Sequence, residues 1–467
     1  MSVQEKWYER SPFWNGLHQF YRGTLFQAII LGLVSFTQPG IWIALNNLGA
    51  GGEAEPFFVN AANVITFVIM VFGAPLSGMI GNVIGLRWVL VFGTLGYVPY
   101  SAALYCNSKF GTEWFLLFGA ATCGFSAAAL WTAEAAIGVG YPEPAKRGLY
   151  IAIWLALNKL GQIIASSIQL AMNSQINEKG AISVDTYLVL VGLQCLGLPL
   201  SLLLSPPDKL IRSDGTTPTF STRKKTFLGE FKAFWKICMR KEIALLIPVF
   251  ITVQWGQTYE GNFLAKYFTV RARALAALII AIVGVIVNLL VGWLLDLKSV
   301  RRSWRSKISW LALLAIFVAV WIWNLIVEVE FTHSVPTLDY TSPGFGRGAG
   351  AYIFYRIAYE FGSTWVYWIV GTYDAEVDDL ALTTALLRSG ESLGSSFSYA
   401  VGAVKSASLL TNVIVAAVVF FASVPTTTWA AWLVRDLPEE KVNSETSSSV
   451  EEGVIVTAVT VVGDKGA

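Results

Sequence analysis

Apolar runs of about 20 residues, separated by short polar stretches, recur along the whole chain. At 1.5 Å per residue, about 20 helical residues cross the hydrocarbon core of a bilayer. Each run therefore predicts a membrane-spanning helix. In the first half these spans are expected at roughly 23–45, 57–80, 87–106, 113–137, 148–172 and 184–204. In the second half they are expected at roughly 241–263, 273–296, 308–327, 349–371, 380–402 and 407–432. The pattern predicts an all-α polytopic membrane protein of twelve transmembrane helices, arranged as two six-helix bundles over 23–204 and 241–432. A tail (1–22), a linker (205–240) and a second tail (433–467) lie outside the bundles. Pro75, Pro99, Pro199 and Pro248 lie within or near the ends of apolar runs, where a missing N–H kinks a helix. Gly73, Gly78, Gly119 and Gly124 are positions where helices can pack closely.

The polar stretches set an orientation. The linker carries Lys209, Arg212, Arg223, Lys224, Lys225, Lys232, Lys236 and Arg240. Loops on its side add Arg87, Lys146, Arg147, Lys298, Arg301, Arg302, Arg305 and Lys307, while the opposite loops hold few bases. That bias predicts that the linker and both termini are cytoplasmic. The acidic loop at 373–379 has no base, and acids weigh little in this rule. Phe227, Phe231, Phe234 and Trp235 interleave with Lys232 and Lys236, which predicts an amphipathic helix at the lipid surface. The tail after Arg435 is acidic and serine-rich and reads as disordered. No secretory signal is expected in the aromatic first 22 residues.

Composition agrees with the pattern. Hydrophobic residues make up 55% and charged residues 14% of 467, well below the roughly 25% charge of a soluble domain. A net charge of +2, with the basic run tethered to the bilayer, gives no nucleic-acid footprint. Cys106, Cys123, Cys195 and Cys238 make neither a disulfide framework nor a metal spacing. His18 and His333 read as solvated, so no metal and no cofactor are expected. No nucleophile elbow, phosphate-binding loop or His-Glu-x-x-His motif occurs, and no enzyme is expected.

One decapeptide occurs twice. Residues 78–87 hold Gly78, Asn82, Gly85 and Arg87; residues 292–301 hold Gly292, Asp296 and Arg301. Both copies follow an apolar run, 214 positions apart, as in a duplicated bundle. With the 6+6 layout, this loop resembles the Gly-x-x-x-Asp-x-x-Gly-Arg motif of the major facilitator superfamily. Trp131-Thr132-Ala133-Glu134-Ala135-Ala136, Arg147-Gly148-Leu149-Tyr150 and Trp154-Leu155-Ala156-Leu157-Asn158 resemble its Unc-93-like branch, in the form fungi carry. The resemblance covers roughly 20–435. It implies that the loop latches a cytoplasmic gate, with Asp296 near Arg147 at the start of span 5. Here Asn82 replaces the motif acid and Leu86 a base; the acid is restored at Asp296. Asp378 and Asp379, just before span 11, are expected to cap that helix in place of an acid at 82. The branch includes channel subunits and receptor chaperones. Two readings follow: a secondary transporter of a small solute or ion by alternating access, or a non-transporting auxiliary or trafficking protein with another membrane protein as partner. The bilayer is a partner in both.

Ionisable groups inside spans are costly unless paired or facing a cavity. Lys159 lies in span 5, Arg356 and Glu360 in span 10, Arg388 and Glu391 in span 11, and Glu134 near the end of span 4. The resemblance implies that spans 1, 4, 7 and 10 line a central cavity, which turns Glu134, Gln254, Gln257, Arg356 and Glu360 toward it. A structural alternative is that these groups merely hold the bundle together. Three bases face two mid-depth acids, so the third base is expected to reach Glu134, water or an anionic ligand. Glu134 and Glu260, near span ends, are also compatible with exposure at the headgroups.

Overall fold

The computed structural model describes residues 12–53, 55–143, 147–214, 227–295, 297, 299–373 and 377–436. Among these the chain is helical almost throughout, with two isolated bridges, Gly23 to Ile211 and Phe268 to Leu338. Among the described residues, nine stretches are long and apolar enough to cross a membrane: Thr24–Asn47, Pro56–Gly81, Leu86–Phe110, Glu113–Gly138, Leu149–Asn173, Val184–Leu202, Val270–Leu295, Arg302–His333 and Leu409–Leu433. They are spans 1–6, 8, 9 and 12. The expected spans 7 (Lys241–Thr252 and Gln257–Tyr267), 10 (Phe345–Tyr373) and 11 (Val377–Gly402) are helical too but fall short in continuity or hydropathy. These three carry most of the intramembrane charge.

Large apolar side chains face outward along the spans, among them Phe72, Phe118, Trp293 and Val418. Water would penalise such a surface and lipid does not. Each half buries its own apolar cluster, and Val270, Ala274 and Ala277 of span 8 join the first-half cluster. Span 2 packs on span 11 and span 5 on span 8, so these four helices join the halves. Two short helices flank the bundles: Pro12–Arg22, exposing Phe13, Trp14, Leu17 and Phe20, and Phe227–Cys238, exposing Leu228, Phe231 and Trp235. Both suit the plane of the lipid headgroups.

Prolines shape the spans unevenly. Pro75 leaves span 2 continuous. Its missing N–H frees the carbonyl four residues back, at Val71, which accepts from Ser389 Oγ of span 11 at 3.0 Å. Spans 3 and 6 break at Thr94–Gly96 and Cys195–Leu196, which places Pro99 and Pro199 in the first turn of the following helix, where fewer N–H groups need partners. Span 1 carries a π turn, Phe36–Gly40, around Pro39, and the carbonyl freed at Ser35 accepts from Asn158 Nδ2 of span 5 at 3.4 Å. Span 7 opens at Val253–Gly256 rather than at Pro248. A Cβ on Gly256 would stand 2.3 Å from the Tyr355 hydroxyl, so glycine lets the opened turn lie against span 10. Span 9 begins at Arg302 and ends at His333, which extends the expected 308–327 at both ends. Glu328 and Glu330 are helical, and Glu328 is buried, accepting from Tyr267 at 3.0 Å.

Candidate functional site: a central cavity open on the linker side

A cavity of about 1670 Å³ lies between the halves. Its lining starts at Trp42, Asn46 and Asn47 in span 1 and reaches Gly85, Gly140 and Pro207, at the ends of helices on the linker side, and Phe234 within the linker helix. On the opposite side the halves are tied together. Asn60 Nδ2 donates to Asn262 Oδ1 and to Gly402 O, both at 3.0 Å. Tyr352 donates to Asn47 O at 3.1 Å. Arg273, wholly buried in the first turn of span 8, donates to Leu48 O and Gly49 O at 2.7 Å and to Gly180 O at 2.9 Å. A Cβ on Gly49 would meet Gly261 O at 2.3 Å, and Gly49 has φ +77°, so this contact requires glycine twice over. Backbone bonds from Val270 N to Glu178 O and from Arg271 N to Ile176 O extend the seal.

Beside that seal, outside the spans, sits Glu53. Burial raises its carboxyl from the ordinary 4.5 to about 7, an effect only partly offset by the side chains of Asn107 and Ser108 and the charge of Arg273. Asp339, in the loop after span 9, goes the other way. Arg271 grips it with two bonds of 2.8 and 2.7 Å, and its carboxyl is held well below the usual range, with Thr341 and Thr269 adding bonds.

Polar groups cluster at mid-depth. Lys159 Nζ meets Glu360 Oε1 at 3.0 Å across the interface between the halves. Asn288 Nδ2 donates to Glu360 Oε2 at 2.9 Å and its own Oδ1 accepts from Thr364 at 2.9 Å. Arg356 lies 3.8 Å from Glu360 Oε1, donates to Gln257 Oε1 at 3.3 Å and stacks 4.6 Å over Tyr359. Arg388 pairs with Glu391 at 2.9 Å and lies 4.3 Å over Trp131. Gln254, on the opened turn of span 7, accepts from Ser395 at 3.5 Å.

Of the residues singled out from sequence, Lys159, Gln254, Gln257, Arg356, Glu360, Arg388 and Glu391 all line the cavity. Glu134 does not. It is fully buried behind the wall, where Ser35 Oγ donates to it at 3.2 Å. The small faces of Ala135 and Ala136 take the lining positions instead. Glu260 is likewise buried rather than exposed. Of the loop motif, Gly78 and Gly85 line the cavity toward its linker-side mouth, and Gly85 takes φ +93°. Arg87 donates to Leu202 O at 2.8 Å, tying spans 3 and 6. Gly292 stands in the last turns of span 8, with open space where a Cβ would go, and Arg301 precedes span 9. Asp296 and the side chains of Asn82, Arg147, Asp378 and Asp379 lie outside the described residues. Sequence reasoning missed Arg273, Glu53 and Asn288. The first had one visible signal, a base on the side of the membrane where bases are scarce.

A family model for the Major Facilitator Superfamily matches residues 23–329. The chain belongs to the Major Facilitator Superfamily. It is 33% identical over 410 residues to the "Notoamide biosynthesis cluster protein O'" of Aspergillus versicolor, covering 86% of this chain and 87% of that one. It is 29% identical to an UNC93-like protein of Schizosaccharomyces pombe, over 85% of this chain and 80% of the relative. UNC93-like protein 1 of Arabidopsis thaliana is 24% identical over 86% of each chain. Together these relatives bear out the Unc-93-like resemblance. Among solved structures, a bacterial homologue of the human lysosomal transporter Spinster, in an inward-facing and unoccupied conformation, matches with a TM-score of 0.59, covering 90% of this chain and 99% of that one at 14% identity. A D-xylose–proton symporter matches with a TM-score of 0.57 at 12% identity, over 89% of this chain and 98% of the other. The protein is therefore a multi-pass membrane protein with a transporter fold.

Proposed function

We propose that this protein is a secondary transporter that moves a small solute by alternating access, and that the structure represents its inward-open state. The carrying observation is the asymmetry of the central cavity: open toward the linker side, sealed on the other by bonds between the halves, with charged side chains at mid-depth. A protein that kept the fold only as a scaffold has no need of ionised groups in a solvent-reachable centre, where they cost stability. The name of one relative ties that relative to a biosynthesis cluster, which favours an organic solute over an inorganic ion. The positive-inside bias makes the open side cytoplasmic.

A second reading, an auxiliary or trafficking protein, draws on Asn82 and Leu86, which depart from the loop motif that latches the gate. The two separate in one experiment. Ser363 lines the cavity, and Ser363→Cys in a background free of the four native cysteines adds a single thiol there. In oriented vesicles, a membrane-impermeant thiol reagent should label it from the linker side quickly and from the other side slowly. Labelling from the linker side alone, at every time and temperature tried, favours the auxiliary reading.

A further inference from the structure

The charged groups of the cavity do not balance, and the imbalance falls on one residue. Among the described lining residues, Lys159, Arg356 and Arg388 are basic while Glu360 and Glu391 are acidic. Arg388 pairs with Glu391 at 2.9 Å, and the Tyr367 hydroxyl donates to the same oxygen at 3.4 Å. Lys159 takes the short contact to Glu360, and the other oxygen of that carboxylate is taken by Asn288. Arg356 is left with the 3.8 Å edge of an already shared carboxylate and one 3.3 Å bond to an uncharged amide. A guanidinium presents five N–H donors in a planar fork, suited to two oxygens of one anion. Its Nε is buried with no hydrogen-bond partner, although the residue as a whole is only 6% exposed. Glu260, in the same span as Gln257, lies within electrostatic reach of Arg356 but makes no hydrogen bond to it: neither of its oxygens has a hydrogen-bond partner and it does not line the cavity.

The two walls differ as well. Among the described lining residues, the first-half wall offers Trp42, Phe67, Met70, Trp131 and Trp154 with Lys159 as its one charged residue, whereas the second-half wall carries the other four charges. A solute that satisfies both walls has an oxyanion at one end and an apolar, ring-bearing body at the other. The volume exceeds the roughly 300–1,000 Å³ of a drug-sized pocket, so a body of several rings is accommodated.

We infer that Arg356 is an anion receptor and that the solute is an amphipathic organic anion, its carboxylate held by Arg356 and its apolar body against spans 1, 2 and 4. This inference rests on the transporter reading and narrows it.

Three fluorescent probes sharing one apolar body test it at neutral pH on the purified full chain: dansylglycine (a carboxylate), dansylglycinamide (its neutral isostere) and dansylcadaverine (a cation). Energy transfer from the cavity tryptophans reports binding. Dansylglycine should bind roughly tenfold or more tightly than either of the others, as expected for hydrogen bonds to a charged group. Arg356→Gln should erase that preference, Arg356→Lys should reduce it, and Glu260→Gln should keep it. Equal binding of the three probes, a preference for the amide or the cation, or binding of none would overturn the inference. A dansylglycine preference that survives in folded, monodisperse Arg356→Gln, or that is lost in Glu260→Gln, would overturn the assignment to Arg356. Should Arg356→Gln not fold, an undiminished preference in Arg356→Lys decides against the assignment. Two-sided labelling of Ser363→Cys together with a failed preference removes the substrate class and leaves the transporter reading standing.

Discussion

Lys159 and Glu360, 201 positions apart in sequence, meet at 3.0 Å across the boundary between the two bundles. Lys159 is a fifth exposed to the cavity and Glu360 a tenth, so the pair is partly screened. Glu360 also anchors Asn288 and the edge of Arg356, whereas Lys159 serves Glu360 alone.

Unequal partners make the two removals unequal. Glu360→Gln leaves two bases without an acid and should destabilise by about 2–4 kcal/mol; Lys159→Gln, which leaves Glu360 with Arg356, should lose about half that. The double variant should lose less than the sum, with a coupling of roughly 1–2 kcal/mol. Thermal unfolding of the four proteins in one detergent measures the cycle. Strict additivity would mean that the contact carries no energy.

Arg273 holds the seal from the other end. Its fork serves carbonyls of two separate loops, Leu48 and Gly49 in one and Gly180 in the other. Arg273→Met should cost roughly 3–5 kcal/mol by stranding buried carbonyls. Arg273→Lys keeps the charge but cannot bridge three acceptors in this geometry. It should raise the rate at which the cavity thiol of Ser363→Cys is labelled from the sealed side, without a matching rise from the linker side. An equal rise on both sides would indicate loosening of the whole bundle.

Glu53 should give stability a slope with pH. A carboxyl whose folded pKa lies above its unfolded value favours the fold while it is protonated in both states. From pH 4.5 upward the unfolded chain releases its proton first, so stability should fall until about pH 7 and then level off. The full effect is on the order of 3 kcal/mol. Glu53→Gln should remove the slope between those values, as read by melting temperature against pH.

Asp339 contributes on the acid side. Its folded pKa is depressed, so its pairing stabilises the protein above the unfolded value near 3.8 and is lost as pH falls through the lower folded value. Asp339→Asn should therefore lower the melting temperature at neutral pH and leave it nearly unchanged under strongly acidic conditions. An equal loss at both would assign the effect to the Thr341 and Thr269 hydrogen bonds rather than to charge.

What sequence made legible was what a bilayer imposes on every span alike. Crossing hydrocarbon takes about 20 apolar residues, so the span positions emerged even where a helix later proved broken. Spans 10 and 11 were found despite their charges, and the pairing of Arg388 with Glu391 follows from i,i+3 spacing on one helix. The sharing of Glu360 between Lys159 and Arg356 was not legible, because it depends on how two bundles meet. Glu134 was misplaced for a related reason: at 3.6 residues per turn, a rotation of one position turns a side chain from the cavity to the wall, and Ala135 and Ala136 occupy the cavity side. The π turn at Pro39 and the opening at Val253–Gly256 depend on partners in other spans, Asn158 and Tyr355, that no local pattern names.

The central claim is that the seal at Asn60 and Asn262 opens in the working cycle. These side chains touch at 3.0 Å from opposite halves, so Asn60→Cys with Asn262→Cys places two thiols across the seal. Combined with Ser363→Cys in the cysteine-free background, the measurement is labelling of the cavity thiol from the sealed side, before oxidation, after it and after reduction, with bond formation verified by protease fragments. The account predicts slow labelling before oxidation, none once the bond has formed, and recovery on reduction, while labelling from the linker side stays constant throughout. Sealed-side labelling that is absent in the reduced protein, or that persists unchanged with the bond formed, would contradict alternating access in this protein.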